Sequence, residues 1–300
     1  MERIVNSREY NYMGRQRLIE SLCEKYKFIK STVIGRSCMG KSISALKIGT
    51  ASQYALISAA FHGSERITST VLLMFIEDLA QAIEEDGYIS GINVRRALKG
   101  RGIIFVPCVN PDGCDISLLG SLGCADKAES LAKLCKYDFE HWNANARGVD
   151  INHNFNAGWD ELREKEKNEG IYGPAPTRFG GFKPESEPET LSLTELCRKV
   201  QIRHVTALHS QGEVIYWSYG KKQPPRSRKM AEIMATASGY ALDVPSAIAT
   251  GGGFKDWFIE EFNRPGFTVE IGKGKNPLPS EKSEEIYRQL KEMLILCSIM

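Results

Sequence analysis

The sequence lacks long apolar runs, an excess of either charge and any pair of cysteines at C-x-x-C spacing. No stretch approaches the roughly 20 apolar residues that a membrane-spanning helix needs. The first residues, MERIVNSREYNYMG, contain no apolar core of a signal peptide. Lys and Arg number 39 and Asp and Glu 37, so the formal net charge is +2, and no polybasic tract is present. We therefore expect a cytoplasmic protein that binds neither nucleic acid nor a membrane.

The eight cysteines do not have the pattern of a disulfide scaffold. Because no export signal is visible, we expect reduced thiols. Four of them, Cys108, Cys114, Cys124 and Cys135, lie close together in the sequence. A local bridge or a second metal site among these four remains an alternative.

Length and pattern favour one large α/β domain. A chain of 300 residues can bury a sizeable core without splitting, and neither a linker nor a repeat is visible. Apolar residues recur at helical spacing in 14–26, 189–202 and 283–300. Strand-like and helical segments alternate, which predicts a mixed sheet sandwiched between helices. The charged run ELREKEKNE (161–169) is typical of a solvated loop or helix end.

A histidine and a glutamate follow the first strongly apolar run. FHGSE (61–65) comes after YALISAAF (54–61) and before a segment with helical spacing. This order places His62 at the carboxyl end of a strand, and Glu65, three residues later, on the same face. Alone the pair is weak, since a histidine beside a strand end is usually an ordinary hydrogen-bonded residue.

Two further polar residues end apolar runs. His209 ends a run in HVTALHS (204–210), and Glu270 lies within FTVEIG (267–272). Burying a carboxylate is costly unless it is paired, close to a metal or catalytic. Ligands of open α/β sheets collect outside the carboxyl ends of the strands. A catalytic zinc takes three nitrogen or oxygen ligands and one open position. We therefore predict one Zn²⁺ bound by His62, Glu65 and His209, with Glu270 free for proton transfer.

Further motifs occur along the chain: IGRSCMGKSISALKIG (34–49), VPCVNPDG (106–113), RGVDINHNF (147–155), SEPET (186–190) and GGGFKDW (251–257). Together with FHGSE, LHS and FTVEIG, and in this order, they resemble the zinc carboxypeptidase family, the metallopeptidases typified by carboxypeptidase A. The resemblance runs almost end to end and implies one catalytic domain over residues 1–300 with an eight-stranded sheet. It also implies that His62, Glu65 and His209 bind zinc. Glu270 would activate the metal-bound water as general base and then protonate the leaving amine.

The sequence departs from the family where most members carry an arginine or tyrosine. The Asn-Arg that clamps a terminal carboxylate is replaced by Asn152 and His153. The arginine that polarises the scissile carbonyl is replaced by Asn143, and the mobile tyrosine by Ile248. Arg147 is a candidate for the oxyanion role, with a structural ion pair as the alternative.

These departures, with HSQGEVIYW (209–217), resemble one branch of the family, the γ-D-glutamyl-L-diamino acid endopeptidases. These enzymes cut peptidoglycan stem peptides between γ-D-glutamate and meso-diaminopimelate. Lys255 matches the floor of the family's side-chain pocket, where a cation favours an acidic or zwitterionic group, although it could also extend to solvent. His153 could contact substrate as a cation or as a neutral donor, and Gln211 is expected to line the cleft.

The preferred function is thus zinc-dependent hydrolysis of a peptide or muropeptide substrate. One alternative is an ordinary or acid-preferring metallocarboxypeptidase that removes single C-terminal residues. Another is a catalytically silent family member that binds peptides or muropeptides, although retention of the three ligands and of Glu270 argues against it. The sequence leaves the oligomeric state open.

Overall fold

The computed structural model describes residues 3–300, and the elements below belong to that range. The ten helices are α1 (Tyr12–Lys25), α2 (Ile67–Glu84), α3 (Val94–Ala97), α4 (Pro111–Leu119), α5 (Ala128–Cys135), α6 (Trp159–Asn168), α7 (Pro188–Lys199), α8 (Ser227–Ser238), α9 (Phe254–Phe262) and α10 (Ser283–Ile299). The ten strands are β1 (Lys30–Arg36), β2 (Ser42–Ile48), β3 (Tyr54–Ala59), β4 (Tyr88–Ile89), β5 (Ile92–Asn93), β6 (Gly102–Val106), β7 (Ile202–His209), β8 (Val214–Tyr216), β9 (Ala241–Asp243) and β10 (Gly266–Glu270).

Eight of these strands form one mixed sheet in the order β1-β2-β6-β3-β7-β10-β8-β9, within the described range. Its centre is parallel, because β6, β3, β7 and β10 run in the same direction. Every residue of β3 and β6 is buried. Such continuous burial is expected where helices cover both faces of a parallel sheet. The predicted mixed, eight-stranded sheet is confirmed.

Helices cover the two faces of the sheet and form two apolar cores. On one face α1, α2, α8 and α10 contribute buried side chains that include Leu22, Phe75, Met234 and Leu290. On the other face α7 and α9 contribute a set that includes Leu193 and Phe258. The helical spacing predicted for the segments of α1, α7 and α10 therefore corresponds to faces buried against the sheet.

The carboxyl ends of β3, β7 and β10 meet at one edge of the sheet. In the parallel register Ala59 lies opposite Leu208, and Glu270 lies opposite His209. The residues that follow these strand ends are therefore close in space although they are far apart in the sequence.

Most of the charged run 161–169 forms α6. Acidic Asp160 and Glu161 lie in its first turn and Lys165 and Lys167 near its last, as the helix dipole favours. Glu166, in contrast, is fully buried. The charged run is therefore exposed on one side of α6 and buried on the other. Within residues 3–300 no helix combines the length and the apolar character needed to cross a membrane.

Candidate active site

Three side chains converge at the edge formed by the ends of β3 and β7. His62 Nδ1 lies 2.8 Å from Glu65 Oε1, and His209 Nδ1 lies 3.0 Å from Glu65 Oε2. Their ligand atoms all lie within 4.8 Å of one another, and Glu65 and His209 are buried. Two imidazole nitrogens and one carboxylate therefore face a common point.

A short turn between His62 and Glu65 brings the two side chains together. Gly63 begins a 3₁₀ turn, Gly63–Glu65, directly before α2. A β-carbon at Gly63 would lie 2.3 Å from the carbonyl oxygen of Gly113 and 2.4 Å from that of Trp142. Backbone packing therefore requires glycine here, and this packing fixes the turn that carries both candidate ligands.

Asp150 holds His62 from the side opposite Glu65. Its Oδ1 lies 3.0 Å from His62 Nε2, and its Oδ2 accepts a hydrogen bond from the Arg178 backbone N–H at 2.9 Å. Burial alone would lower the pKa of His62, but the carboxylates of Glu65 and Asp150 raise it well above its usual value. Burial opposes ionisation of Glu65 too, yet His62 and His209 lower the pKa of Glu65 to about 2.

Glu270 lies beside His209 at the end of β10. Ile271 N donates to His209 O at 2.8 Å, which ties the two strand ends together. Removal from water and repulsion by Glu65 raise the pKa of Glu270 to about 8, against the opposing effect of His62. Glu270 is therefore a carboxyl group that can accept and return a proton near neutral pH.

A cavity of about 130 Å³ opens beside these groups. It is lined by His62, Asn152, His153, His209, Tyr216, Pro245, Ala249, Gly253, Lys255, Asp256, Thr268 and Glu270. The candidate proton-transfer group and both candidate histidine ligands therefore face the same small pocket. Such an enclosed space with convergent polar groups is typical of a substrate site.

Comparison with known proteins matches residues 16–293 to the zinc carboxypeptidase family model. The chain belongs to the zinc carboxypeptidase family. It is 35% identical over 294 residues to γ-D-glutamyl-L-diamino acid endopeptidase 1 of Lysinibacillus sphaericus, a match that covers 96% of this chain and 72% of that protein. It is 26% identical over 256 residues to murein peptide amidase A of Escherichia coli K12, with 84% of each chain covered.

A solved structure of the same fold is that of bovine thrombin-activatable fibrinolysis inhibitor in complex with tick carboxypeptidase inhibitor. The TM-score is 0.76, the sequence identity is 20%, and 97% of each chain is covered. This likeness confirms the carboxypeptidase fold. The family membership and the relatives above identify the protein as a zinc metallopeptidase.

The group of His62, Glu65 and His209 fits the zinc that the family name implies. Two imidazoles and one carboxylate are a common donor set of catalytic zinc, which leaves a position open for water or substrate. The contact between His62 Nε2 and Asp150 favours the tautomer that leaves Nδ1 available as a ligand. A second group with suitable spacing, Cys38, Glu187 and Glu189, lies outside the cavity lining.

Three of the predicted substrate residues line the cavity. Asn152 Oδ1 accepts the backbone N–H of Phe254 at 3.1 Å, which fixes its amide at the start of α9. His153 Nδ1 lies 2.7 Å from Glu166 Oε1 of α6. Lys255 Nζ donates to the carbonyl oxygen of Ser218 at 2.6 Å and contacts the Asp256 carboxylate. Lys255 is therefore buried and paired, so it does not extend to solvent.

The environment of His153 determines whether its ring carries a charge. Burial, together with the positive charges of His62 and Arg178, lowers the pKa of His153 despite the nearby Asp150. A neutral ring that donates from Nδ1 to Glu166 carries a free lone pair on Nε2. His153 therefore has the properties of a neutral hydrogen-bonding group.

The other predicted site residues are not among those that line the cavity. Asn143 accepts a 2.5 Å hydrogen bond from Ser64 Oγ, so it contacts the turn between His62 and Glu65. Arg147 is 51% exposed and its Nη1 lies 3.5 Å from Glu187 Oε2, which matches the structural ion pair. The oxyanion role of Arg147 stays a prediction.

Gln211 and Ile248 also lie outside the cavity lining. Gln211 is exposed two residues after the end of β7, and Ile248 is half-buried in the short 3₁₀ helix Ala247–Ala249. Its neighbour Ala249 does line the cavity. The substrate contacts expected of Gln211 and Ile248 stay predictions.

Sequence reasoning missed several residues of the site. Asp150 belongs to the motif RGVDINHNF and Asp256 to GGGFKDW, so both were visible as motif members without an assigned role. Tyr216 and Thr268 lie opposite each other on β8 and β10 and line the cavity. Burial and the nearby Glu270 raise the pKa of Tyr216. Tyr216 therefore supplies a phenol group to the cavity lining.

Replacing Asp150 by asparagine should weaken zinc binding. The amide cannot match the charge that holds His62 Nε2, and loss of such a partner typically costs about 10- to 100-fold in metal affinity. Competition with a chelator of known affinity measures the effect. Thr177→Ala removes only a 3.4 Å contact to the other Asp150 oxygen and serves as the control. Equal zinc affinity of Asp150→Asn and the unmodified protein would contradict the positioning role.

Proposed function

We propose that the protein is a zinc-dependent endopeptidase that hydrolyses the bond between γ-D-glutamate and meso-diaminopimelate in peptidoglycan stem peptides. The observation that carries the substrate assignment is the buried Lys255–Asp256 pair in the cavity beside Glu270. The 35% identity to a γ-D-glutamyl-L-diamino acid endopeptidase over 96% of the chain supports the same assignment.

The proposed metal ligands are His62 and His209 through Nδ1 and Glu65 through its carboxylate. A zinc ion at this point supplies Lewis acidity toward the scissile carbonyl and toward water, and its charge offsets the repulsion between Glu65 and Glu270. Asp150 holds the His62 ring in place through its contact with Nε2. The turn at Gly63 holds His62 and Glu65 at a fixed separation.

Glu270 is the proposed proton carrier. It is half-buried, it lines the cavity, and its pKa is already raised toward neutrality. Its carboxylate takes a proton from the attacking water and then gives that proton to the leaving amine nitrogen. A carboxyl group whose pKa lies near the working pH performs both transfers without a large energetic penalty.

The charges around the cavity suit a zwitterionic side chain. Diaminopimelate carries a second amino group and a second carboxylate at its far end. Lys255 and Asp256 offer this end one cation and one anion that are otherwise paired with each other. The substrate carboxylate can pair with Lys255 while the substrate ammonium group pairs with Asp256, so that no buried charge is left unpaired.

His153 and Asn152 suit a substrate that need not present a terminal carboxylate at that position. Neutral His153 offers Nε2 as an acceptor, and the Asn152 amide offers an uncharged donor. A neutral pair cannot form the bidentate contact by which an arginine binds a carboxylate. These two residues therefore do not require a free C-terminal carboxylate, so diaminopimelate at the end of a stem peptide or within a longer one is compatible with the site.

The proposal is tested by mass spectrometry of L-Ala-γ-D-Glu-meso-diaminopimelate after incubation with zinc-loaded protein. A chelator-treated sample and a standard C-terminal dipeptide substrate run in parallel. We expect release of free diaminopimelate that the chelator prevents. Cleavage of the dipeptide substrate alone would assign an ordinary metallocarboxypeptidase, and cleavage of neither would favour a binding protein.

Replacing Lys255 by alanine should raise KM for the diaminopimelate substrate more than KM for a neutral peptide. A charge-assisted hydrogen bond contributes about 1.5–3 kcal/mol, which corresponds to roughly a 10- to 100-fold rise in KM. The ratio of the two KM values within one variant corrects for any general loss of stability. Lys222→Ala, on an exposed lysine paired with Glu260, is the matched control. Equal changes for both substrates would remove Lys255 from substrate recognition.

A further inference from the structure

Two cysteine side chains lie in contact close to the active site. The Sγ atoms of Cys108 and Cys114 are 3.7 Å apart, and both thiols are free. Cys108 follows β6 and is partly exposed, whereas Cys114 is buried in the first half of α4. A sulfur–sulfur bond measures about 2.0 Å, so a modest movement of one side chain would join the two atoms.

The surroundings of Cys108 favour a thiolate. Cys108 shares a small cavity with Arg15, whose side chain is buried. Two guanidinium nitrogens of Arg15 contact Tyr10 O and Asp115 Oδ1, but its Nε has no hydrogen-bond partner in residues 3–300. A buried cation with an unused donor beside a thiol stabilises the anionic form of that thiol.

Cys108 differs from the other cysteines in the direction in which its surroundings shift the pKa of the thiol. The contact with Cys114 and the charges of Arg15 and Lys41 lower the pKa of Cys108 against burial and against Asp115. Burial is the first cause that raises the pKa of Cys23, Cys38, Cys124, Cys135, Cys197 and Cys297, and the contact with Cys108 is the first that raises the pKa of Cys114. An accessible thiolate next to a buried thiol is the usual arrangement of a peroxide-reactive cysteine and its resolving partner.

We propose that Cys108 and Cys114 form a peroxide-reactive dithiol that closes reversibly into a disulfide. The Cys108 thiolate attacks hydrogen peroxide: a sulfur–oxygen bond forms, the oxygen–oxygen bond breaks, and hydroxide leaves. The Cys114 sulfur then attacks the sulfenic acid: the sulfur–sulfur bond forms and the sulfur–oxygen bond breaks. The leaving hydroxide takes the Cys114 proton as water. In total two thiols are oxidised and one peroxide is reduced to two molecules of water.

The position of the pair connects it to the metal-ligand turn. Asn110, between the two cysteines, caps α4 by accepting from Gly113 N at 2.9 Å. Its Nδ2 donates to the carbonyl oxygen of Phe61, directly before His62, at 3.0 Å. Gly113 O also packs against Gly63. Because Cys114 lies in the first turn of α4, beside these contacts, we expect oxidation of the pair to lower activity until a thiol reductant restores it.

Peptide mapping of the intact zinc-loaded protein tests the proposal without any substitution. Cleavage after Arg101 and Lys127 leaves Cys108, Cys114 and Cys124 in one peptide. After brief treatment with hydrogen peroxide and alkylation, we expect this peptide to carry one alkyl group in place of three, on Cys124. Fragmentation should locate the bridge between Cys108 and Cys114, and dithiothreitol should restore alkylation of all three cysteines.

Three variants separate the roles of the cysteines. Cys124→Ser should leave the bridge intact, and Cys108→Ser should abolish peroxide reactivity of the peptide. Cys114→Ser should stop at a sulfenic acid on Cys108, which dimedone traps. Full alkylation of Cys108 and Cys114 in the treated wild-type protein, or a bridge from Cys108 to Cys124, would overturn the proposal. The peptide masses of the wild-type protein decide whether the proposal is correct. The test therefore remains valid even where a serine variant folds poorly.

Discussion

Glu270→Gln is expected to abolish turnover and to leave zinc bound. Glutamine keeps the size and position of the side chain but cannot take a proton from water at neutral pH. A positioned general acid or base typically contributes about 100- to 10,000-fold to the rate. We therefore expect kcat on the proposed substrate to fall by about that factor, with zinc content by elemental analysis unchanged.

The stability of Glu270→Gln shows whether the loss of turnover comes from the missing proton transfer or from a damaged fold. Removal from water and repulsion by Glu65 raise the pKa of Glu270 and so disfavour its ionised form, and a neutral amide should therefore not destabilise the metal-free protein. The Tm of metal-free Glu270→Gln should equal or exceed that of the unmodified protein. Glu281→Gln, on an exposed glutamate, is the control for activity. Undiminished kcat in Glu270→Gln would exclude Glu270 as the proton carrier.

The strands that carry the candidate site were predictable from the sequence. The runs that became β3, β7 and β10 are short and mainly apolar, and each ends at or shortly before a polar residue of the site. A buried parallel strand requires a run of apolar residues, and a site at the carboxyl end of that strand requires polar residues there. For this reason the convergence of His62, Glu65, His209 and Glu270 followed from strand ends alone, before any distance was known.

The partners of the site residues were not predictable in the same way. His153 contacts Glu166, a member of a charged run that looks solvated because only one of its acids turns inward. Arg147 contacts Glu187, forty residues along the chain. Periodicity shows which face of an element is buried, but it does not show which side chain from another element meets that face.

The cysteines show the same limit. The sequence places Cys108, Cys114, Cys124 and Cys135 close together, yet spacing alone does not decide which pair is in contact. The contact between Cys108 and Cys114 depends on how α4 begins, and the Arg15 guanidinium beside them comes from α1. A long-range neighbour thus sets the chemistry of a thiol that looks ordinary in the sequence.

His209→Ala should remove the metal, in contrast to Glu270→Gln. The substitution leaves one imidazole and one carboxylate, and a site with two protein ligands does not hold zinc as a site with three does. Elemental analysis after dialysis is expected to show a loss of most of the zinc, with no measurable turnover. His141→Ala is the matched control, since His141 is 58% exposed and its ring contacts Asp138 at the surface. Retention of a full equivalent of zinc in His209→Ala would place the metal elsewhere, and the group of Cys38, Glu187 and Glu189 would be the next to test.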